Sequence, residues 1–286
     1  MHPDFLAVGH VAKDLSNEDH RLGGTVVYGA ITALRMGLLS PAVVTSAGPD
    51  VCVSADLSDI RIHSVASART TTFRNRYHRG KRTQVVVSAA GPIGTDDVPV
   101  QWRVAPLVLL GPLVGEVEDE LAREFPNATV LASLQGWLRR WDEEGRVGAV
   151  RWDGADVLPH VDAAVVSTED IVAPGQIDRW KDLVPVLLVT EGRKGAWLHF
   201  EGAWRRIDAY PVAQIDPTGA GDVFGAAFLI RYSETRDPSE SARYASCAAS
   251  FCVEAEGTDG IPTRAQVEVR LGLAPCPTER LRKDAL

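Results

Sequence analysis

Four short apolar runs, Leu107 to Leu110, Thr129 to Ala132, Ala163 to Ser167 and Val186 to Thr190, lack the polar alternation of a half-exposed strand. Runs of that kind suit strands covered on both faces, as the strands of a parallel sheet are. Helix-like stretches, Glu116 to Glu124 and Ile177 to Leu183, lie between them. The alternation predicts an α/β fold: a doubly wound, mostly parallel sheet with helices on both faces and right-handed crossovers. In such a sheet, ligands gather beyond the carboxyl ends of the strands. The chain has 286 residues, 45% hydrophobic and 24% charged, which suits one large domain with a sizeable core.

Residues 60–88 read differently. Ile60 to His63, Thr70 to His78 and Thr83 to Ser88 alternate and are rich in β-branched and aromatic side chains, and Arg79-Gly80-Lys81-Arg82 makes a hairpin turn. A small antiparallel sheet projecting from the main body is expected there.

The strongest chemical signal is Asp216-Pro217-Thr218-Gly219-Ala220-Gly221-Asp222, followed by an apolar, small-residue helix from Val223 to about Ser233. Two glycines permit a tight turn with outward N–H groups, and the helix aims its positive end at that turn, which makes an anion site. Asp222 stands inside it. An ordinary helix N-cap also accounts for such an Asp. A dinucleotide fingerprint does not fit, because Gly219, Gly221 and Gly225 give GxGxxxG and no second run of strands follows. No Walker A loop occurs in the chain.

Other candidate positions also follow strand-like runs. Phe5 to Val8 leads to Asp14, and Leu22-Gly23-Gly24 opens a helix that carries Tyr28. Ser167-Thr168-Glu169-Asp170 and Thr190-Glu191-Gly192-Arg193-Lys194-Gly195 follow two of the apolar runs. Their shared place at strand ends supports one site. Taken singly, each has a plain reading: a solvated Asp, an acidic N-cap, a tight turn between strands.

The string DPTGAGD resembles the C-terminal signature of the ribokinase-like (PfkB) carbohydrate kinases, and the resemblance extends over residues 5 to 262. It implies a ribokinase-like kinase domain in which the 60–88 region is a lid over the sugar that can pair with a second subunit's lid. Asp222 is then the base, with Gly219, Ala220 and Gly221 as its anion hole. Asp14, Gly23, Gly24, Tyr28 and Gln135 bind the acceptor. Ser167, Thr190, Gly192, Gly195 and Thr218 line ATP, flanked by a helix from Ala245 to Glu254. Asp170 or Glu169 positions Mg2+. Two positions depart from the family pattern: Tyr28 stands where GGxxxN has Asn, and SxxD replaces NxxE. Val8-Gly9-His10, Thr71-Thr72-Phe73 and Leu134-Gln135 with its Trp- and Arg-rich sequel resemble the inositol 3-kinases of plants, which implies a cyclitol or sugar acceptor. A nucleoside kinase of the same family and a non-catalytic sugar sensor with the same fold are the rival readings.

A net charge of −8 argues against a nucleic-acid partner. Four cysteines without CxxC or Cys/His spacing, no signal-like N-terminus and no run of membrane-spanning length point to a cytoplasmic protein.

Overall fold

The computed structural model describes residues 2–15, 20–51, 57–78, 81–173 and 175–272. Cys52, Cys276, the Arg79-Gly80 step of the hairpin turn and the C-terminal tail lie outside these residues. The strands in chain order are β1 (Phe5–Val8), β2 (Ala12–Leu15), β3 (His20–Gly23), β4 (Pro41–Ala47), β5 (Arg61–Ala66), β6 (Thr71–His78), β7 (Lys81–Ser88), β8 (Leu107–Leu110), β9 (Thr129–Ser133), β10 (Arg139–Trp141), β11 (Val147–Ala149), β12 (Ala163–Ser167), β13 (Val186–Thr190), β14 (Ala196–Phe200) and β15 (Ala203–Ile207). The helices are α1 (Thr25–Arg35), α2 (Gln176–Trp180), α3 (Ala220–Thr235), α4 (Pro238–Cys252) and α5 (Arg264–Arg270).

The main sheet runs β15-β14-β13-β12-β9-β8-β1-β4-β5. From β13 to β5 every pairing is parallel, and β14 and β15 add an antiparallel edge. The four apolar runs became the four strands β8, β9, β12 and β13 because both of their faces are covered. In β1, Phe5 and Ala7 join the core under the long helices, while Leu6 and Val8 join the core on the opposite face. The two faces are clothed unequally. One carries α1, α3 and α4; the other carries 3₁₀ turns and the short α2, packed around Trp102, Leu121, Phe125 and Trp180.

Two expected helices are short for identifiable reasons. Residues 116–118 are extended, because the Glu116 carbonyl accepts from Ile93 N–H (2.8 Å) and Glu118 N–H donates to the Ile93 carbonyl (3.1 Å). Only Asp119–Arg123 then coils, as a 3₁₀ turn. After α2, Pro185 disfavours helical backbone at Val184 and the chain turns into β13.

A second sheet, ordered β3-β2-β6-β7, stands apart from the first. It corrects the expected grouping in two ways. β5 pairs in parallel with β4 at the margin of the main sheet, so residues 61–66 are not part of the projecting sheet. Its place is taken by β2 and β3 from the N-terminal segment, and β2 runs parallel to β6, so the sheet is mixed. The base of this sheet is packed: Ala12, Phe73 and Val86 bury against Leu113 and Val114 of the main body.

A buried polar clasp joins the two sheets. The Glu116 carboxylate accepts the N–H groups of His10 (2.9 Å), Leu113 (2.9 Å) and Val114 (2.8 Å). The His10 ring meets the Gly91 carbonyl at 2.9 Å through Nε2, which donates, and the Thr71 hydroxyl at 2.7 Å through Nδ1. Among the described residues no helix is long and apolar enough to cross a membrane.

Candidate active site

α3 organises the site. Gly225, Ala226 and Ala227 are small enough to bring it against the sheet, where a Cβ on Gly225 would already touch Val165 and Leu131. Its first turn therefore sits at the carboxyl ends of β8, β9 and β12. Gly219 takes the left-handed conformation (φ 78°) that turns the chain into the helix. The preceding loop is tied down by Asp216, which accepts from Thr218 N–H (2.9 Å) and Gly257 N–H (3.3 Å). Burial by itself would raise the Asp216 carboxyl, but these bonds outweigh it and hold it below the ordinary carboxylate range. At the end of α4, the Val253 carbonyl accepts from Ile215 (2.7 Å) and Asp216 (3.3 Å), which ties the turn to that helix.

Asp222 lies in the first turn of α3, partly open to the cleft and otherwise enclosed by protein. Enclosure pushes its carboxyl up to about 6, against the lowering effects of the Thr25 hydroxyl and of Arg139, with Asp14 and Asp170 adding to the rise. The group stays ionised at pH 7 yet is a stronger base than an ordinary carboxylate. The same neighbours show which residues converge. Asp14 comes from β2, Arg139 from β10 and Asp170 from the turn after β12, and the charge of each acts on Asp222.

On the acceptor side, Asp14 belongs to β2 rather than to a loop. Its Oδ2 lies over Gly23, where a Cβ would stand 2.5 Å away, so the glycine is required for that approach. Gly24 (φ 99°) is the N-cap of α1. Tyr28 is also among the residues expected at the acceptor. It is 3% exposed and its ring lies against Gly219, so it buttresses the anion turn instead of walling an open pocket.

Gln135 and Asp170 meet each other: the Gln135 amide donates to Asp170 Oδ2 at 3.3 Å. Arg139 donates to Asp170 Oδ1 through Nε (3.2 Å) and Nη2 (3.0 Å), and through Nη1 to Gln84 of β7 (3.2 Å). Asp170, expected from the resemblance to position Mg2+, is buried and paired with the Arg139 guanidinium, with both oxygens engaged. Glu169 is exposed at the same turn. Among the described residues no group of three His, Cys, Asp or Glu side chains is arranged to hold a metal ion.

Of the expected nucleotide-lining residues, Ser167, Thr190, Gly192 and Gly195 lie at or just after the ends of β12 and β13, and Thr218 lies in the turn before α3. Ser167 and Thr190 are cross-strand partners, and the Thr168 hydroxyl donates to the Thr190 carbonyl at 3.4 Å. Gly192 (φ 55°) opens a single 3₁₀ turn with clear space around it. A Cβ on Gly195 (φ 95°) would meet the backbone of Ile207 and Asp208, so its need is the hairpin itself. Ala220 N–H donates to the Pro217 carbonyl (3.3 Å), which leaves Gly219 and Gly221 as the less committed amides of the expected anion hole. Gly221 has open space where a side chain would project. Thr25 and Arg139 were not visible as site residues in the sequence, since single polar residues carry no spacing signal.

The architecture has close counterparts among solved structures. A pyrophosphate-dependent kinase of the ribokinase family, complexed with a pyrophosphate analog and myo-inositol, matches with a TM-score of 0.73 at 22% identity, over 93% of this chain and 99% of that one. Ribokinase of Arabidopsis thaliana, complexed with ribose and ATP, gives 0.71 at 21% identity, over 96% and 100%. The fold is that of the ribokinase-family kinases. Residues 159–264 match the model of the pfkB family carbohydrate kinases. Inositol 3-kinase of Zea mays is 30% identical over 249 residues, 78% of this chain and 65% of that protein. The chain thus spans slightly less than two thirds of that relative's length. The similarity to the pfkB family carbohydrate kinases lies in residues 159–264.

Proposed function

We propose that the chain transfers the γ-phosphoryl group of ATP to a hydroxyl of a small sugar or cyclitol of the myo-inositol type. The observation that carries this reading is the convergence of Asp222, at the head of α3, with Asp14 of β2 and Arg139 of β10. A carboxylate with raised basicity stands at a helix start, and the charge of a second carboxylate, Asp14, acts on it.

Phosphoryl transfer passes through a loose transition state, so positioning and charge stabilisation dominate. Asp222 accepts the proton of the attacking hydroxyl. Gly219 and Gly221 N–H and the positive end of α3 hold charge developing on the phosphoryl oxygens. Asp14 accepts hydrogen bonds from neighbouring acceptor hydroxyls, with Gly23 leaving room for it. Arg139 balances the negative charge of the cleft and ties Gln84 of the second sheet to Asp170, so the sheet over the acceptor acts as a lid. Glu169 would hold Mg2+ together with the nucleotide phosphates, since Asp170 is paired with Arg139. When bound, it neutralises phosphate charge. The similarity to inositol 3-kinase supports a cyclitol acceptor; pairing of lids between two subunits belongs to the same proposal.

The test is a donor-consumption screen over myo-inositol, hexoses, ribose and nucleosides, with ATP and pyrophosphate as donors. Turnover of a cyclitol or sugar with ATP supports the proposal. A preference for nucleosides assigns the chain to the nucleoside kinases, and absence of transfer with every pair removes the kinase reading.

A further inference from the structure

We infer that Thr25 is a positioning residue for Asp222: its hydroxyl fixes one carboxylate oxygen and leaves the other to take the acceptor's proton. The inference rests on the reading of Asp222 as the base. Thr25 Oγ1 donates to Asp222 Oδ1 at 2.7 Å, between residues 197 positions apart in the chain.

The surroundings leave the threonine one arrangement. Thr25 is the first residue of α1 and 1% exposed. Its methyl group occupies the space above Gly111, where a Cβ would stand 2.5 Å from Thr25 Cγ2. Gly24 before it holds φ 99°, and a Cβ there would meet the His10 carbonyl at 2.6 Å. A β-branched side chain is already stiff about χ1, and packing of its methyl against a glycine fixes the hydroxyl direction. The first turn of α1 therefore aims a hydroxyl at the first turn of α3. Valine would serve as well for packing alone; a donor is needed only if the carboxylate must be held.

The hydroxyl also stabilises the ionised carboxylate, and its loss raises the carboxyl further. The other groups facing Asp222 are Asp14 of β2, Arg139 of β10, Asp170 after β12, Tyr28 of α1 and Cys252 of α4. None of them changes in a Thr25 variant.

The test compares Thr25→Val, which keeps shape and loses the donor, with Thr25→Ser, which keeps the donor. The Asp222 carboxyl is titrated by carbon-13 resonance in the full chain without ligands, so the readout does not depend on the acceptor. The expected result is an upward shift of about one pH unit in Thr25→Val and almost none in Thr25→Ser. With ATP and myo-inositol, kcat falls about 10- to 100-fold in Thr25→Val with KM values within about threefold, and Thr25→Ser restores it. An unmoved titration in Thr25→Val, or equal shifts in both variants, overturns the assignment. Asp222→Asn, assayed alongside, separates the two levels. If it is inactive while Thr25→Val behaves as wild type, only the role of Thr25 fails. If it stays active, the base reading fails and the role of Thr25 in transfer fails with it.

Discussion

The Tyr28 ring occupies the space into which Gly219 would extend a side chain, so the anion turn and α1 are fitted to one another through a missing Cβ. Gly219→Ala must both adopt a left-handed backbone and displace a buried ring. It is expected to lose about 2–4 kcal/mol of stability in urea unfolding. Two residues on, Gly221 has open space, and Gly221→Ala is expected to hold or gain up to about 1 kcal/mol while obstructing the cleft. Equal stability losses in the two variants would show that Tyr28 does not set the turn.

The raised carboxyl of Asp222 links activity to stability. A folded-state value of about 6, above the ordinary 3.8, means the folded chain favours the protonated form. That contribution is fully present below about pH 4 and is lost as pH rises through about 6. At pH 8 the wild type carries a cost of up to about 3 kcal/mol from this group. Asp222→Asn keeps an oxygen for the Thr25 hydroxyl and removes the charge. Its Tm is expected to exceed that of wild type by about 2–4 °C at pH 8, with the gap closing toward pH 4. A lower Tm at pH 8 would contradict the buried-charge account.

Arg139 and Asp170 form a pair whose side chains are 18% and 9% exposed. Arg139→Met leaves the carboxylate, among the described residues, with Gln135 as its partner and is expected to cost about 3 kcal/mol. Arg139→Met with Asp170→Leu should regain most of that. Asp170→Asn is expected to leave the Mg2+ concentration dependence of transfer unchanged. A large shift in that dependence would return Asp170 to the metal.

The central strands were legible because burial on both faces erases alternation, and Leu107–Leu110 and Val186–Thr190 carry nothing else. The start of α3 and the carboxylate in its first turn were legible because DPTGAGD compresses turn, helix start and carboxylate into seven residues. What stayed hidden was tertiary. The Glu116 side chain is drawn inward to three backbone N–H groups, and the extended backbone around it pairs with Ile93 where a helix was expected. β5 alternates like a strand of the small sheet, but its partner β4 assigns it to the margin of the large one. Arg139 and Thr25 reach the site across 31 and 197 positions, and no local pattern announces such contacts.

The most direct test of the account is phosphoryl transfer from ATP to myo-inositol and related polyols by wild type and Asp222→Asn, with nucleotide binding measured in parallel. The expected result is turnover by wild type, with kcat/KM falling below about pH 6, and a loss of about 10²–10⁴-fold in Asp222→Asn at unchanged ATP affinity. An Asp222→Asn variant that keeps more than about a tenth of wild-type kcat would contradict the account, because transfer would then proceed without the carboxylate around which the site is built.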